Sequence, residues 1–387
     1  MSVIFQKKST VIKYLRGGFV IKYFIMLNIL ISSVILNSLA PLMPVFQNRL
    51  NISISASSSI PVFGVLGTTI FSFIMSILIS KFGVKKSNYF GYVFLFIGLL
   101  FFSFSRNLTG IILASFLVGA SSSILFTSLT TLLAHLDNPK FGLTHAFFGM
   151  GGIIAPFLVS LSIKYDFSYR YLYLTYLILM LLMFIWNFFI KVPEAKYETM
   201  KFAKIKKTIL KPVFFISIIS FLLYSGSEIG LVTWISNLFI YFGHSADKAA
   251  LSISMFWIFY TIARFLSDFV VKSINEKKIV VFCSLFSSVL IVIMLLTKNS
   301  YVFLVIGFLM GAIFPMIQRY ANMNLNKDEV GLLNGVTYGS TGIGGMIFSY
   351  FMGLLSNKSI PSMFILPIIG LILVFFLQIL ERRGTKT

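Results

Sequence analysis

Phe221-Leu-Leu-Tyr-Ser-Gly-Ser-Glu-Ile-Gly-Leu-Val-Thr-Trp234 lies inside an apolar run, Pro212 to Phe242, that is long enough to cross a bilayer. Near its middle stands Glu228, with no lysine or arginine within a helical turn or two. A carboxylate at that depth costs a few kcal/mol or more, about 3 on insertion scales, so it is expected to face a cavity and to bind or exchange something. A buried glutamate held by a hydroxyl or a backbone carbonyl, with only structural consequences, is the plainer reading of the same residue. No other acid sits in the middle of an apolar run.

The rest of the chain has the same character. Hydrophobic residues make up 58% and charged residues 11%, with a net charge of +21. So few charges cannot coat a soluble domain of this length. The lysines fall in short gaps between apolar runs, without the polar surroundings of a nucleic-acid-binding face, so no nucleic-acid partner is expected. Cys283 is alone and His135, His145 and His244 are scattered, which gives no metal-ligand spacing and no cofactor motif.

Apolar stretches recur as Val20–Val45, Ser57–Ser80, Ser87–Ser105, Leu108–Ala134, Phe141–Ile163 and Tyr169–Ile190. After a basic linker follow Pro212–Phe242, Ala249–Val271, Ile279–Thr297, Tyr301–Ala321, Val330–Leu355 and Ile360–Leu380. About twelve spans result, each expected to be an α-helix because lipid offers backbone amides no other partner. The first is expected to be retained: it is too long for a cleaved signal segment, and Asn37-Ser-Leu-Ala40-Pro41 is a poor cleavage site.

Basic residues orient the spans. Lys7, Lys8, Lys13, Arg16 and Lys22, then Lys81, Lys85, Lys86, Lys140, the linker, Lys272, Lys277, Lys278, Arg319, Lys327, Arg382, Arg383 and Lys386 fall on one side. Arg49, Arg106, Lys164, Arg170, Lys248, Lys298 and Lys358 fall on the other. Both termini are therefore expected in the cytoplasm of a multi-pass plasma-membrane protein. The division is residues 1–190, a basic linker 191–212, and residues 213–387. The halves echo each other: Phe116-Leu-Val-Gly-Ala120 recurs as Phe308-Leu-Met-Gly-Ala312, and Gly142-Leu143 as Gly331-Leu332, which sets His145 against Asn334. Parallel repeats of six helices build one large class of transporters.

Four motifs stand in order on the expected helices: His145-x-Phe147-Phe148-Gly149-x-Gly151 with Pro156, Tyr224-x-Gly226-x-Glu228 with Trp234, Phe256-Trp257 with Ala263-Arg264, and Gly311-x-x-Phe314-Pro315. With them the chain resembles the major facilitator superfamily, and within it the fucose-permease-type branch of sugar:proton symporters. The resemblance covers nearly the whole chain. It implies an all-α polytopic protein of two six-helix bundles related by a pseudo-two-fold axis, probing each side of the membrane in turn. It also implies a small polar solute, a sugar, as substrate, a proton as partner, and a monomer.

Departures are plain. Where the superfamily has Gly-x-x-x-Asp-Arg-x-Gly-Arg-Lys after its second helix, this chain reads Ser76-Ile-Leu-Ile-Ser80-Lys81-Phe82-Gly83-Val84-Lys85-Lys86, without the acid. Fucose permeases carry acids in helices one and four; here helix one offers Asn37, and helix four hydroxyls such as Thr127. Glu228 is thus the candidate coupling-ion residue. Asn37, Thr127, Tyr224, Ser227, Trp257 and Asn334 are the candidate pocket. His145, Arg264, Asp268, Lys81, Gly83 and Lys85 are candidate gating residues, Arg264 and Asp268 sharing a helical face at i, i+4. Two other readings stand beside sugar uptake: an exporter of amphipathic compounds, suited to the aromatic interior, and a transporter-like sensor without net flux. An enzyme would need several polar groups converging at one depth, and the sequence offers one acid.

Overall fold

The computed structural model describes residues 2–134, 141–190, 211–325 and 327–380. The linker 191–210 and His135 lie outside the described residues, as do the side chains of His145, Asp268 and Asn334. Among the described residues the chain is helical, with eleven helices long and apolar enough to span a membrane. They are Val20–Leu50, Ile54–Ser72, Lys81–Phe104, Leu108–Leu133, Ala146–Lys164 and Tyr169–Phe189, then Pro212–Tyr241, Ala246–Ser267, Glu276–Thr297, Val302–Met323 and Pro361–Leu380. A further helix, Lys327–Leu355, occupies the place expected for the eleventh span, its apolar part running Gly339–Leu355. The spans are numbered one to twelve below, this helix being span eleven.

Three local features depart from the simple reading of the sequence. The basic N-terminal segment continues the helix of span one, Ser2–Asn37, instead of forming a separate tail. Span one then breaks at Ser38 and resumes as Leu39–Leu50. Pro41 and Pro44 explain the break, since proline lacks an amide and its ring collides with the carbonyl four residues back. Spans two and three form one helical run, Ser59–Phe104, interrupted at Gly83 alone, whose φ of 76° and ψ of 166° are non-helical.

Gly83 has open space where a Cβ would stand, so its requirement is purely one of backbone conformation. That region is essentially reserved for glycine, and other residues pay about 1–3 kcal/mol there. Gly83→Ala is therefore expected to lower the thermal midpoint of purified protein measurably. An unchanged midpoint would mean that the turn relaxes. Lys85, two residues on, donates to the carbonyls of Phe188 and Ile190, each at 3.0 Å, and so closes the end of span six within its own bundle. Lys81 is exposed and lies 5.5 Å from the ring of Phe82.

The spans before the linker form one six-helix bundle and those after it another. Polar side chains inside the first bundle pair with each other: Tyr92 donates to Asn28 at 2.5 Å, and Asn88 to Asn187 at 3.3 Å. Outward faces remain apolar, with Leu182, Ile185, Phe286 and Phe376 all exposed, as a lipid-facing surface requires.

The bundles meet along spans one and seven, two and eleven, and five and eight. On the side of the membrane away from the chain's first residue, Asn237 Nδ2 of span seven donates to Gln47 Oε1 of span one at 2.6 Å. Gln47 Nε2 in turn donates to Ser57 Oγ at 2.9 Å. Both amides are buried, so this chain of neutral hydrogen bonds seals that side between the bundles. Gln47→Cys combined with Asn237→Cys is expected to cross-link with a short bifunctional maleimide and to stop flux by at least tenfold. The one native cysteine, Cys283, is buried and leaves the experiment clean. Full flux after complete cross-linking would show that this contact need not open.

Candidate functional site

Span seven places Glu228 half-buried, one turn beyond the fully buried Tyr224. With Glu228 ionised, its Oε2 accepts from the hydroxyl of Tyr260 on span eight at 2.7 Å. Tyr260 itself accepts from a terminal nitrogen of Arg264, one turn further along the same helix, at 2.5 Å. The guanidinium also lies over the rings of Tyr260, at 4.5 Å, and Phe314, at 5.7 Å. Acid and base are thus joined through a phenol standing between them.

Tyr224 completes the group from below. Its hydroxyl donates to the carbonyl of Met310 on span ten at 2.7 Å and lies 3.3 Å from that of Tyr260. Each phenol has one hydrogen. Tyr260 spends its own on the carboxylate and Tyr224 on Met310, so the two hydroxyls have none to share while Glu228 is charged.

Span ten fixes the position of Tyr260. A Cβ on Gly311 would come within 2.3 Å of the Tyr260 carbonyl oxygen, and one on Gly307 within 2.9 Å of the Phe256 carbonyl oxygen. Small residues four apart let the two backbones touch. This gives a physical reason for the glycine of Gly311-x-x-Phe314-Pro315. Gly311→Ala must move the Tyr260 backbone by tenths of an ångström or more.

Trp257, one turn before Tyr260, meets its ring edge to face, with centroids 4.9 Å apart and an interplanar angle of 73°. Its indole packs against Gly152 of span five, where a Cβ would stand 3.0 Å from the ring, and its Nε1 is buried without a hydrogen-bond partner. Glu228, Tyr224 and Trp257 of the expected set are therefore brought together with Arg264, which sequence reading assigned to a latch.

Other expected residues are placed elsewhere. Ser227 is fully buried, donates to the Leu223 carbonyl at 2.8 Å, and lies 2.3 Å from where a Cβ on Gly370 of span twelve would stand. It faces span twelve, away from the acid. Asn37 donates back to the Ser33 carbonyl at 2.8 Å and to its hydroxyl at 3.1 Å, at the break in span one. Thr127 is half-buried on span four, and its carbonyl accepts from Thr131 at 2.7 Å. Tyr260 is the residue the sequence reading passed over. Its spacing, three after Trp257 and four before Arg264, was the available signal.

The sequence profile of the Major Facilitator Superfamily matches residues 24–322 and 217–386. The chain belongs to that superfamily. It is a multi-pass membrane transporter of a small solute, not an enzyme. Among curated proteins it is similar to the TsgA homolog of Buchnera aphidicola subsp. Schizaphis graminum, 25% identical over 347 residues, covering 87% of this chain and 89% of the relative. Among solved structures it is similar to a variant of the nucleoside transporter NupG, with a TM-score of 0.78 and 13% identity, covering 93% of this chain and 99% of that one. It is similar as well to the E. coli fucose:proton symporter FucP, with a TM-score of 0.65 and 18% identity, covering 95% of this chain and 100% of that one. At such identities these structures speak for the fold.

Proposed function

We propose that this protein is a proton-coupled symporter for a small polar solute, a sugar, with Glu228 as the proton site. The observation that carries the reading is the chain Glu228–Tyr260–Arg264, in which the acid is linked to a cation through one hydroxyl. When Glu228 takes up a proton it becomes a donor and turns its hydrogen toward Tyr260. That frees the phenolic hydrogen of Tyr260 for Tyr224, 3.3 Å away. A single protonation thereby rearranges hydrogen bonds linking spans seven, eight and ten, which is how a charge event at one acid can bias the packing of helices.

Trp257, half-buried one turn before Tyr260, is the aromatic wall for a sugar ring, and its unpartnered Nε1 is a donor for a hydroxyl. The same aromatic density suits a nucleoside base, and this is the second reading. His145, Asn334 and Asp268, on spans five, eleven and eight, complete the proposed set, with Lys81, Gly83 and Lys85 at the turn between spans two and three. Both termini and the linker face the cytoplasm, as the basic residues require, and the described arrangement is then closed to the outside by Gln47 and Asn237. The protein works as a monomer with 1–190 and 213–387 as its two moving parts.

The test is uptake of labelled sugars and nucleosides into proteoliposomes under an inward proton gradient. Accumulation that a protonophore abolishes is expected. Equilibration indifferent to the gradient would overturn coupling, and absence of flux for the whole panel would favour export of amphipathic compounds.

A further inference from the structure

Span nine begins Asn275-Glu276-Lys277-Lys278, at the end of the bundle where the chain also starts. Its acid is turned inward: Glu276 is 8% exposed and accepts from Arg319 of span ten at 3.0 Å. Lys278 is exposed. Lys277 reaches the ring of Tyr320 at 5.8 Å. Below the lysines a groove of about 580 Å³ runs between spans nine and twelve. Its apolar lining is Val281, Phe282, Leu285, Phe286 and Ile379, with Asn275 and Gln378 as its polar residues besides the lysines. Phe282 and Phe286 lie ring to ring at 4.2 Å yet remain 53% and 45% exposed, on the side that faces lipid.

The structure assigns this groove to one anionic glycerophospholipid of the adjoining leaflet. Three observations converge on that class. The cations sit at one end only, where a headgroup phosphate lies. From Lys278 to Phe286 the helix rises about 12 Å, comparable to one leaflet of hydrocarbon. Phe282, Leu285 and Phe286 line the groove away from the lysines, and Gln378 is buried and already donates to Ser220 at 3.1 Å, so the part of the ligand that enters is an acyl chain, not a second polar group. Lys278, with Lys277 beside it, selects charge on the headgroup, since basic residues at the surface attract anionic lipid by about 1 kcal/mol each. Glu276, the acid of this turn, is turned inward and paired with Arg319.

A benzophenone amino acid in place of Phe286, in equimolar vesicles of phosphatidylcholine and phosphatidylglycerol, reports the occupant by mass spectrometry after illumination. Phosphatidylglycerol adducts are expected to exceed phosphatidylcholine adducts severalfold. Lys277→Gln with Lys278→Gln is expected to bring the ratio to unity at unchanged total yield, which shows that the groove itself is intact. Equal adducts in the unmutated background would overturn the assignment, as would an excess that survives loss of both lysines.

Discussion

Glu228→Gln is expected to abolish accumulation against a gradient while leaving exchange of solute across the membrane in place. Glutamine matches glutamate in shape and its carbonyl oxygen still accepts from Tyr260, so the packing of spans seven and eight is preserved. What it lacks is a second protonation state. With no proton to take up and release, the hydrogen of Tyr260 stays where it is and the solute equilibrates. In proteoliposomes the accumulation ratio should fall at least tenfold, to about unity, whereas counterflow persists. Tyr260→Phe separates the acid from Arg264 without touching either charge. A hydrogen bond to a charged group is worth about 1.5–3 kcal/mol, roughly ten- to a hundredfold in an equilibrium, so this variant should also lose accumulation and shift its pH profile. A Glu228→Gln protein that still concentrates its solute would place the coupling elsewhere.

The spans were legible in the sequence because lipid enforces them: an amide without a partner is costly enough that twenty apolar residues have little choice but helix. Glu228 stood out for the same reason, as a charge where charge is expensive. Tyr260 did not, because a tyrosine in an aromatic-rich chain carries no such cost, and its importance comes from where spans eight and ten bring it. Ser227 shows the converse. It shares a helical arc with Tyr224 and Glu228, yet the packing of span twelve onto that arc, at Gly370, takes it away from the acid. The Gln47–Asn237 contact joins residues 190 apart, and nothing local distinguishes those two amides from others in the chain. Gly83 was recognised as part of a basic turn, but that the helix runs almost unbroken through it follows from backbone angles, which composition does not report.

Two glycines separate packing within a bundle from packing between bundles. A Cβ on Gly119 of span four would stand 1.9 Å from the Gly64 carbonyl oxygen and 2.8 Å from its carbon, both backbone atoms of span two. These spans lie in one bundle and have no freedom to part. Gly119→Val is therefore expected to cost well over the roughly 1–3 kcal/mol of ordinary overpacking and to yield little monodisperse protein. A Cβ on Gly342 of span eleven would stand 2.2 Å from Thr69 Oγ1 of span two, with its next neighbours at 3.4 and 3.7 Å. Here the obstacle is the end of one side chain, and the helices belong to different bundles. Gly342→Val is expected to fold and to be relieved by separating the bundles, because that motion is the one a transporter already makes. A cysteine replacing Asn237, buried beside Gln47 in the closed arrangement, should then react severalfold faster with a membrane-impermeant maleimide in the Gly342→Val background. Aggregation of both glycine variants would show that the interface between bundles is as rigid as their interiors. An unchanged labelling rate in folded Gly342→Val would show that Thr69 simply rotates, leaving the seal at Gln47 and Asn237 undisturbed.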